Sequence, residues 1–570
     1  MTEEPDVRPD ATPRHLPSLA AAALLTATAL HARPTPPPRP VAPPQTAAVR
    51  FAIDPTRRFG ISRYIYGANF LEARAWDGAT RLPPFTWVRF GGNRFSAYNW
   101  ENNFSNAGND YLYENDGYMS DSRRPGEAIK SRVEVARKTG AATLITIPMT
   151  GYVAADDKGP MDVADANRAA RLATRFRISR ATKGAPFTTN PDANDPFVNQ
   201  DEFVAWIDHT FPGGIADSTK PIMFGLDNEP DIWHATHEEI FSKLQGSTPR
   251  ILTYDDFINR SVEYARAIKR VAPAAIVLGP SVTNYAGMAV LGRYPTPDPV
   301  YGTKYFLDIY LDQMKRAAGQ GPRLLDVLDV HWYPESQGGG VRITEPRDPE
   351  PAGMAEARVQ APRSLWDPTF DEQTWVSQAA GGPVQLIERM RQSTALHYPG
   401  TKLAISEYYF GGGALISGGV AQADALGIFG RERLFAAAAW PSDHSPQREG
   451  DNGRIYAYLF GGFDMYLNYD GNGSRFGDVG LTATTTDIER SSVYASVDAA
   501  NRTVIVAINK TNAPLATTIN IAGRSGVRAQ TYTLTSASPR PRRAGEVTAA
   551  SGDLNYTMPA MSVTTLVVAP

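Results

Sequence analysis

Between roughly residues 63 and 470, short apolar runs closed by turn residues alternate with amphipathic stretches. Eight of the runs read as strands: YGANF (66–70), WVRFGG (87–92), ATLITIPM (142–149), PIMFGLDNE (221–229), AAIVLGPS (274–281), LLDVLDVHWY (324–333), KLAISEYY (402–409) and LFAAAAW (434–440). The stretches between them have helical spacing. In TYDDFINRSVEYARAIKRVAP the apolar residues Ile258, Val262, Ala265, Ile268 and Ala272 recur on one face, and Thr253 with Asp256 forms a capping-box pattern. YGTKYFLDIYLDQMKRAAG and AQADALGIFGRERL read the same way. Strands that are apolar on both faces need cover on both, and eight alternations with helices favour a (β/α)8 barrel over a doubly wound sheet.

The last hundred residues change period. RSSVYASVDAANRTVIVAINK, PLATTINIAG, RAQTYTLT and MSVTTLVVAP alternate apolar with polar residues and are rich in Val and Thr, the signature of a β-sandwich. AAVRFAID (47–54) has the same character and is expected to lend it a strand. The plan is therefore a barrel over 63–470, a sandwich over 471–570, and residues 48–62 as a strand joining the sandwich. Ahead of these, LPSLAAAALLTATALHA, with Ala27-Thr28-Ala29 as a cleavage site, places a signal peptide within 1–32. The acidic start of the chain also fits an uncleaved anchor. RPTPPPRPVAPPQ makes 33–47 a proline-rich linker. The expectation is a secreted protein, extracellular or periplasmic, with no membrane contact beyond that segment.

Charge narrows the partners. A net charge of -3 from 57 basic and 60 acidic residues leaves no electrostatic footprint for nucleic acid, so a neutral partner is expected. The absence of cysteine excludes disulfides, thiolate nucleophiles and Cys-ligated zinc. Nothing in the pattern calls for a second copy, and a monomer is expected. The 25 Tyr, 23 Phe and 9 Trp suit both a large core and flat platforms for sugar rings.

Candidate chemistry lies where polar residues abruptly close apolar strands, because the active sites of such barrels sit at the carboxyl ends of their strands. The second strand closes with Arg89 and Gly91-Gly92-Asn93-Arg94, the fourth with Asp227-Asn228-Glu229-Pro230, and the sixth with His331-Trp332-Tyr333. The seventh closes with Ser406-Glu407-Tyr408 and the eighth with Trp440. Two endings supply a glutamate, and a facing pair of carboxyls is what glycosidic cleavage requires: one acid for the leaving oxygen, one base to attack or to activate water. Either glutamate could instead be a cap or an ion-pair member. Arg89 reads as a neutraliser of a buried acid or as the cation that keeps Glu407 ionised; His331 and Tyr333 read equally as core or as site residues.

Several longer blocks carry a resemblance. RFGGNRFSAYNWENNFSNAGND (89–110), LITIPMTGYVAADDKGP (144–160), LDNEPDIWHATH (226–237), DVLDVHWYPE (326–335), QAPRSLWDPTF (360–370) and ISEYYFGGGALISGGVAQADALGIFG (405–430) resemble glycoside hydrolase family 44, from about residue 50 to the C-terminus. The resemblance implies a retaining endo-β-1,4-glucanase active on cellulose-like glucan or xyloglucan, with Glu229 as acid/base and Glu407 as nucleophile. It further implies that Asn228 binds the sugar 2-hydroxyl, that Arg89 and Tyr333 support Glu407, and that Trp440 floors the cleavage subsite. Trp366, Tyr408, Asn99, Trp100 and Tyr152 lie in matching blocks and are expected in or near the glucan cleft. TNYAG (283–287) departs from the aromatic loop expected there. Glu229 is expected to have its pKa raised by the neighbouring carboxylate. The double displacement needs no cofactor; NAGND (106–110) and YDGNG (469–473) could hold a structural Ca2+ or simply form turns. Cleavage of xylan or an arabinofuranoside, and glycan binding without catalysis, are the competing readings.

Overall fold

A computed structural model describes residues 48–69, 82–241, 252–292, 295–441 and 455–570. The expected signal peptide and linker, 1–47, lie outside them. Eight parallel strands close a barrel in chain order: β1 Gly67–Ala68, β2 Trp87–Phe90, β3 Ala142–Ile147, β4 Ile222–Leu226, β5 Val277–Val282, β6 Val327–Trp332, β7 Lys402–Tyr408 and β8 Ala436–Ala439. Seven fall within their expected runs, and β5 extends one residue beyond its own, to Val282. Side chains alternate across a strand, so β6 sends Val327, Asp329 and His331 inward while Leu328, Val330 and Trp332 face the helices. Trp87, Leu144, Met223, Leu278, Val327, Ala404 and Ala438 fill the barrel's lower interior. Toward the carboxyl ends the inward positions turn polar: Arg89, Asp329, His331 and Ser406, all buried.

The helix over Tyr254–Val271 carries the expected capping box, with the Thr253 hydroxyl accepting from the Asp256 amide at 3.1 Å. Its buried face includes Phe257, Ile258, Ala265 and Ile268. The helix Ile416–Arg431 is buried almost throughout, because the barrel lies on one side of it and the C-terminal sheet on the other.

The expected C-terminal sandwich is built from strands that are hydrogen-bonded in one continuous run. Nine strands are hydrogen-bonded in the order Ser538–Ala549, Val527–Thr535, Ser562–Val568, Thr503–Asn509, Ser491–Val497, Val479–Thr485, Val49–Gly60, Leu515–Ile521 and Asp553–Met558. The sheet wraps around its own core of Phe51, Ile53, Leu481, Ile505, Ile519, Leu554 and Leu566. Val49–Gly60 pairs in parallel with Leu515–Ile521 and antiparallel with Val479–Thr485. The outer face joins the barrel through a buried polar contact: Asp424 accepts from the Tyr494 hydroxyl at 2.6 Å and pairs with Lys510 at 2.7 Å. Gly427 is required there, since a Cβ on it would lie 2.2 Å from the Tyr494 ring. Among the described residues no helix is long and apolar enough to cross a membrane.

Candidate active site

At the end of β4 the backbone turns through left-handed conformations at Asp227 (φ 63°) and Glu229 (φ 44°), with Asn228 between them. For non-glycine residues these cost roughly 1 kcal/mol each or more and persist only where surroundings over-determine them. The surroundings do so. The Asp227 carboxylate accepts from the Ser96 hydroxyl (2.5 Å) and the Asn228 amide (2.7 Å), and also from the Met149 amide. The Glu229 amide donates to the Ser281 carbonyl at 2.9 Å, and the Trp233 indole donates to the Asn228 carbonyl at 2.7 Å. Pro230 opens the short helical turn Pro230–Ile232, where its missing N–H costs nothing. Asp231 is tied to the Thr283 amide (3.0 Å) and hydroxyl, so the TNYAG loop braces the acid's loop.

Six expected residues meet here. Arg89, buried inside the barrel, donates to Glu407 Oε1 at 2.6 Å and to Asn228 Oδ1 at 2.6 Å. The Tyr333 hydroxyl donates to Glu407 Oε2 at 2.8 Å. His331 Nδ1 lies 2.9 Å from Glu229 Oε1 and 3.3 Å from Glu407 Oε2. One oxygen of each glutamate and a His331 nitrogen all fall within 4.8 Å of one another.

Electrostatics divides the two carboxyls. Burial pushes Glu229 up to about 7, with Arg89 opposing and the Asp110 carboxylate adding to the rise. The expected cause, repulsion from the partner glutamate, is therefore replaced by desolvation. Glu407 carries a hydrogen-bond donor on each oxygen, Arg89 on one and Tyr333 on the other. Burial lowers His331 to about 4, so at neutral pH it is an uncharged imidazole bridging the pair. Tyr333 is pushed well above 10, first by burial and then by the Glu407 charge, and stays a donor.

The half-buried Trp440 flanks this cluster. A Cβ on Gly92 would lie 2.5 Å from the Trp440 ring, and the Gly92 amide donates to Asn228 Oδ1 at 3.3 Å. Four other expected residues are placed elsewhere. Trp100 is fully buried, stacked on Phe203 with centroids 5.5 Å apart; Asn99 is spent on the Ala154 carbonyl and the Glu101 amide. Tyr408 faces the helices and accepts from Gln422 at 2.7 Å. Trp366 lies under Arg431, 3.9 Å from the guanidinium carbon, at the last turn of the helix leading into β8. Tyr152 is half-buried, edge-on to Phe176.

Asn69 was not anticipated. It accepts from Arg89 (3.0 Å) and donates to the Ser406 carbonyl (2.9 Å), fixing the guanidinium that links Asn228 to Glu407. Its signal was present, a polar residue closing YGANF. Of the two acidic loops, Asp470 in YDGNG is engaged by the Asn472 and Ser474 amides and the Ser474 hydroxyl, a turn's bonding pattern. In NAGND, Asn106 bonds Asn115 and Asp110 accepts from Asn93.

A profile of glycoside hydrolase family 44 matches residues 104–336. Over the whole architecture, the crystal structure of the Clostridium thermocellum endoglucanase Cel44A superposes with a TM-score of 0.82 at 35% identity, covering 92% of this chain and 100% of that one. The chain belongs to glycoside hydrolase family 44. A family 44 xyloglucanase from Paenibacillus polymyxa, solved with xyloglucan, is 32% identical with a TM-score of 0.82, covering 92% of this chain and 99% of that one. Endoglucanase A of Paenibacillus lautus is 37% identical over 484 residues, 82% of this chain. The chain spans 64% of that relative's length and 36% of a β-mannanase/endoglucanase A from Caldicellulosiruptor saccharolyticus, which is also 37% identical and matches 86% of this chain. Membership in family 44 agrees with the barrel and β-region seen here.

Proposed function

We propose that the chain hydrolyses internal β-1,4-glucosidic bonds of cellulose-like glucan and xyloglucan with retention of configuration, Glu407 acting as nucleophile and Glu229 as acid/base. The observation that carries this reading is the pair's approach, oxygens within 4.8 Å of each other. Retaining pairs have carboxyls roughly 5 to 5.5 Å apart, whereas inverting pairs need about 6.5 Å or more to admit a water. Glu407 attacks the anomeric carbon while Glu229, protonated up to a pH of about 7, passes its proton to the leaving oxygen. Glu229, now a carboxylate, takes a proton from the water that releases the glycosyl-enzyme. Neutral His331 reaches both carboxyls through Nδ1 without adding charge, and Tyr333 and Arg89 hold the Glu407 oxygens. Asn228, oriented by Arg89, Gly92 and Trp233, presents its side chain to the sugar 2-hydroxyl, and Trp440 to the sugar face.

The substrate assignment follows the endoglucanase and xyloglucanase relatives. The double displacement uses no cofactor. Export, suggested by the apolar segment in 1–32, and action as a monomer complete the reading, with the barrel bounded at 63–470 and the β-region formed by 48–62 and 471–570. The test is reducing-sugar release from xyloglucan, carboxymethylcellulose and xylan by wild type and Glu407→Ala, with and without azide. Glucan cleavage lost in the variant, and recovered with azide on an activated glycoside as the inverted glycosyl azide, supports the assignment. Unchanged activity of the variant refutes it, and cleavage of xylan alone moves the substrate.

A further inference from the structure

On each side of β6 the ladder skips one residue. On β5, Pro280 pairs with Asp329 and Val282 with Val330, which leaves Ser281 unmatched at a left-handed φ of 53°. On β7, Ile405 pairs with Val330 and Glu407 with His331, which leaves Ser406 unmatched. Each is a one-residue bulge, and a bulge reverses the alternation of side chains beyond it. On β7 the result is direct: Ile405 and Tyr408 face the helices while Ser406 and Glu407 both point into the barrel, where a regular strand would have turned Glu407 outward. On β5 the result lies in the backbone, because the Ser281 carbonyl accepts the Glu229 amide at 2.9 Å.

One side chain holds both bulges. Asp329, fully buried on β6, accepts from the Ser281 hydroxyl at 2.5 Å and the Ser406 hydroxyl at 2.6 Å on Oδ2, and from the Ser406 amide at 2.9 Å on Oδ1. Burying a carboxylate is costly, and an apolar side chain such as Val327, two positions earlier on the same face, fills the interior without that cost. The donors that compensate it come from only two residues, and each of these is one link from a glutamate of the pair. Ser281 carries the Glu229 amide, and Ser406 precedes Glu407 in the chain. The Ser406 carbonyl also accepts from Asn69, the residue that orients Arg89 toward Glu407.

We propose that Asp329 is a positioning residue that fixes the separation of Glu229 and Glu407 by clamping both bulges to β6. This role, which rests on the acid/base and nucleophile assignments above, has two arms: Ser281 holds the acid's loop and Ser406 the nucleophile's strand. The leaving group tells them apart. A 2,4-dinitrophenyl β-cellobioside departs without a proton whereas a glucan chain needs one, so kcat/KM on the two substrates separates a misplaced acid from a misplaced nucleophile. The experiment measures both on wild type, Glu229→Ala, Ser281→Ala, Ser406→Ala and Asp329→Ala, with thermal unfolding of each. Glu229→Ala, the reference, should lose xyloglucan hydrolysis and keep the activated glycoside. Ser281→Ala should follow it in kind, losing at least about tenfold on xyloglucan and less than about threefold on the glycoside, while Ser406→Ala and Asp329→Ala lose at least about tenfold on both. A general loosening of the barrel would instead scale the two substrates together in every variant. A folded Asp329→Ala, or either folded serine variant, that keeps wild-type values on both substrates overturns the clamp, as does a Ser281→Ala loss equal on the two; the serine variants decide the matter where Asp329→Ala does not fold. Equal losses on the two substrates in Glu229→Ala overturn the acid/base reading itself, and the clamp falls with it.

Discussion

Glu229→Gln isolates what burial does to the acid. In the folded chain desolvation raises Glu229 from 4.5 to about 7. A carboxyl whose folded pKa is raised binds its proton more tightly when folded, so its contribution is intact below about 4.5. It is lost as pH rises toward 7 and stays lost above that. About 2.5 units at 1.36 kcal/mol each give an upper value of about 3 kcal/mol of destabilisation at pH 8. Glutamine keeps the shape and the oxygen that faces His331 but cannot ionise. Its stability curve should therefore match that of the wild type near pH 4.5 and lie above it at pH 8 by up to about 3 kcal/mol. For a chain of this size, at about 2.1 cal/mol/K per residue, that is a rise in Tm of about 3 °C. The buried Asp227 and Asp231 carboxyls titrate in the same range, but they are common to both proteins and cancel in the comparison. The assay is thermal or urea unfolding of both proteins at pH 5 and pH 8, with hydrolysis measured alongside. Equal midpoints at pH 8, or a less stable variant there, would refute the claim that burial sets the acid's proton affinity.

Other perturbations separate roles that lie close together in the chain. Tyr333→Phe removes a charge-assisted hydrogen bond to Glu407, worth about 1.5 to 3 kcal/mol, and should lower kcat about 10- to 100-fold with little change in melting. Gly92→Ala puts a methyl 2.5 Å from the Trp440 ring at a φ of 88°, so KM should rise more than kcat falls in steady-state kinetics on xyloglucan. Trp100→Ala should cost about 3 to 5 kcal/mol in urea unfolding and leave the KM of the folded enzyme unchanged, since the ring lies in the core. Lys510→Met strands the buried Asp424 between barrel and sheet and should cost about 3 to 5 kcal/mol in the same measurement.

The barrel was legible because its strands are buried on both faces: runs such as ATLITIPM and PIMFGLDNE permit few alternatives once eight of them alternate with stretches of helical spacing. The meeting of Glu229 and Glu407 was legible for a related reason, that both close core strands at the barrel's carboxyl end, where inward side chains converge. What escaped was side-chain direction in irregular segments. Asn99 and Trp100 sit within ten residues of Gly92, yet the chain turns between them and sends both into the core. Tyr408 is one residue from Glu407 and faces the opposite layer. The β-region's strands, Val49–Gly60 among them, could be read from their period, but not that this strand, more than four hundred residues away, would lie between Val479–Thr485 and Leu515–Ile521. Trp366 and Arg431 are brought together only by the return of two helices to the barrel's lower end.

The identity of the attacking atom is tested most directly by trapping it. Wild-type enzyme incubated with an activated 2-deoxy-2-fluoro-β-cellobioside should accumulate a covalent adduct of one cellobiosyl unit in intact-mass spectra. Peptide mapping should place it on Glu407, with activity returning as the adduct turns over on an acceptor sugar. An adduct on Glu229, or an enzyme that hydrolyses glucan yet never forms one and releases products of inverted configuration, would contradict the account.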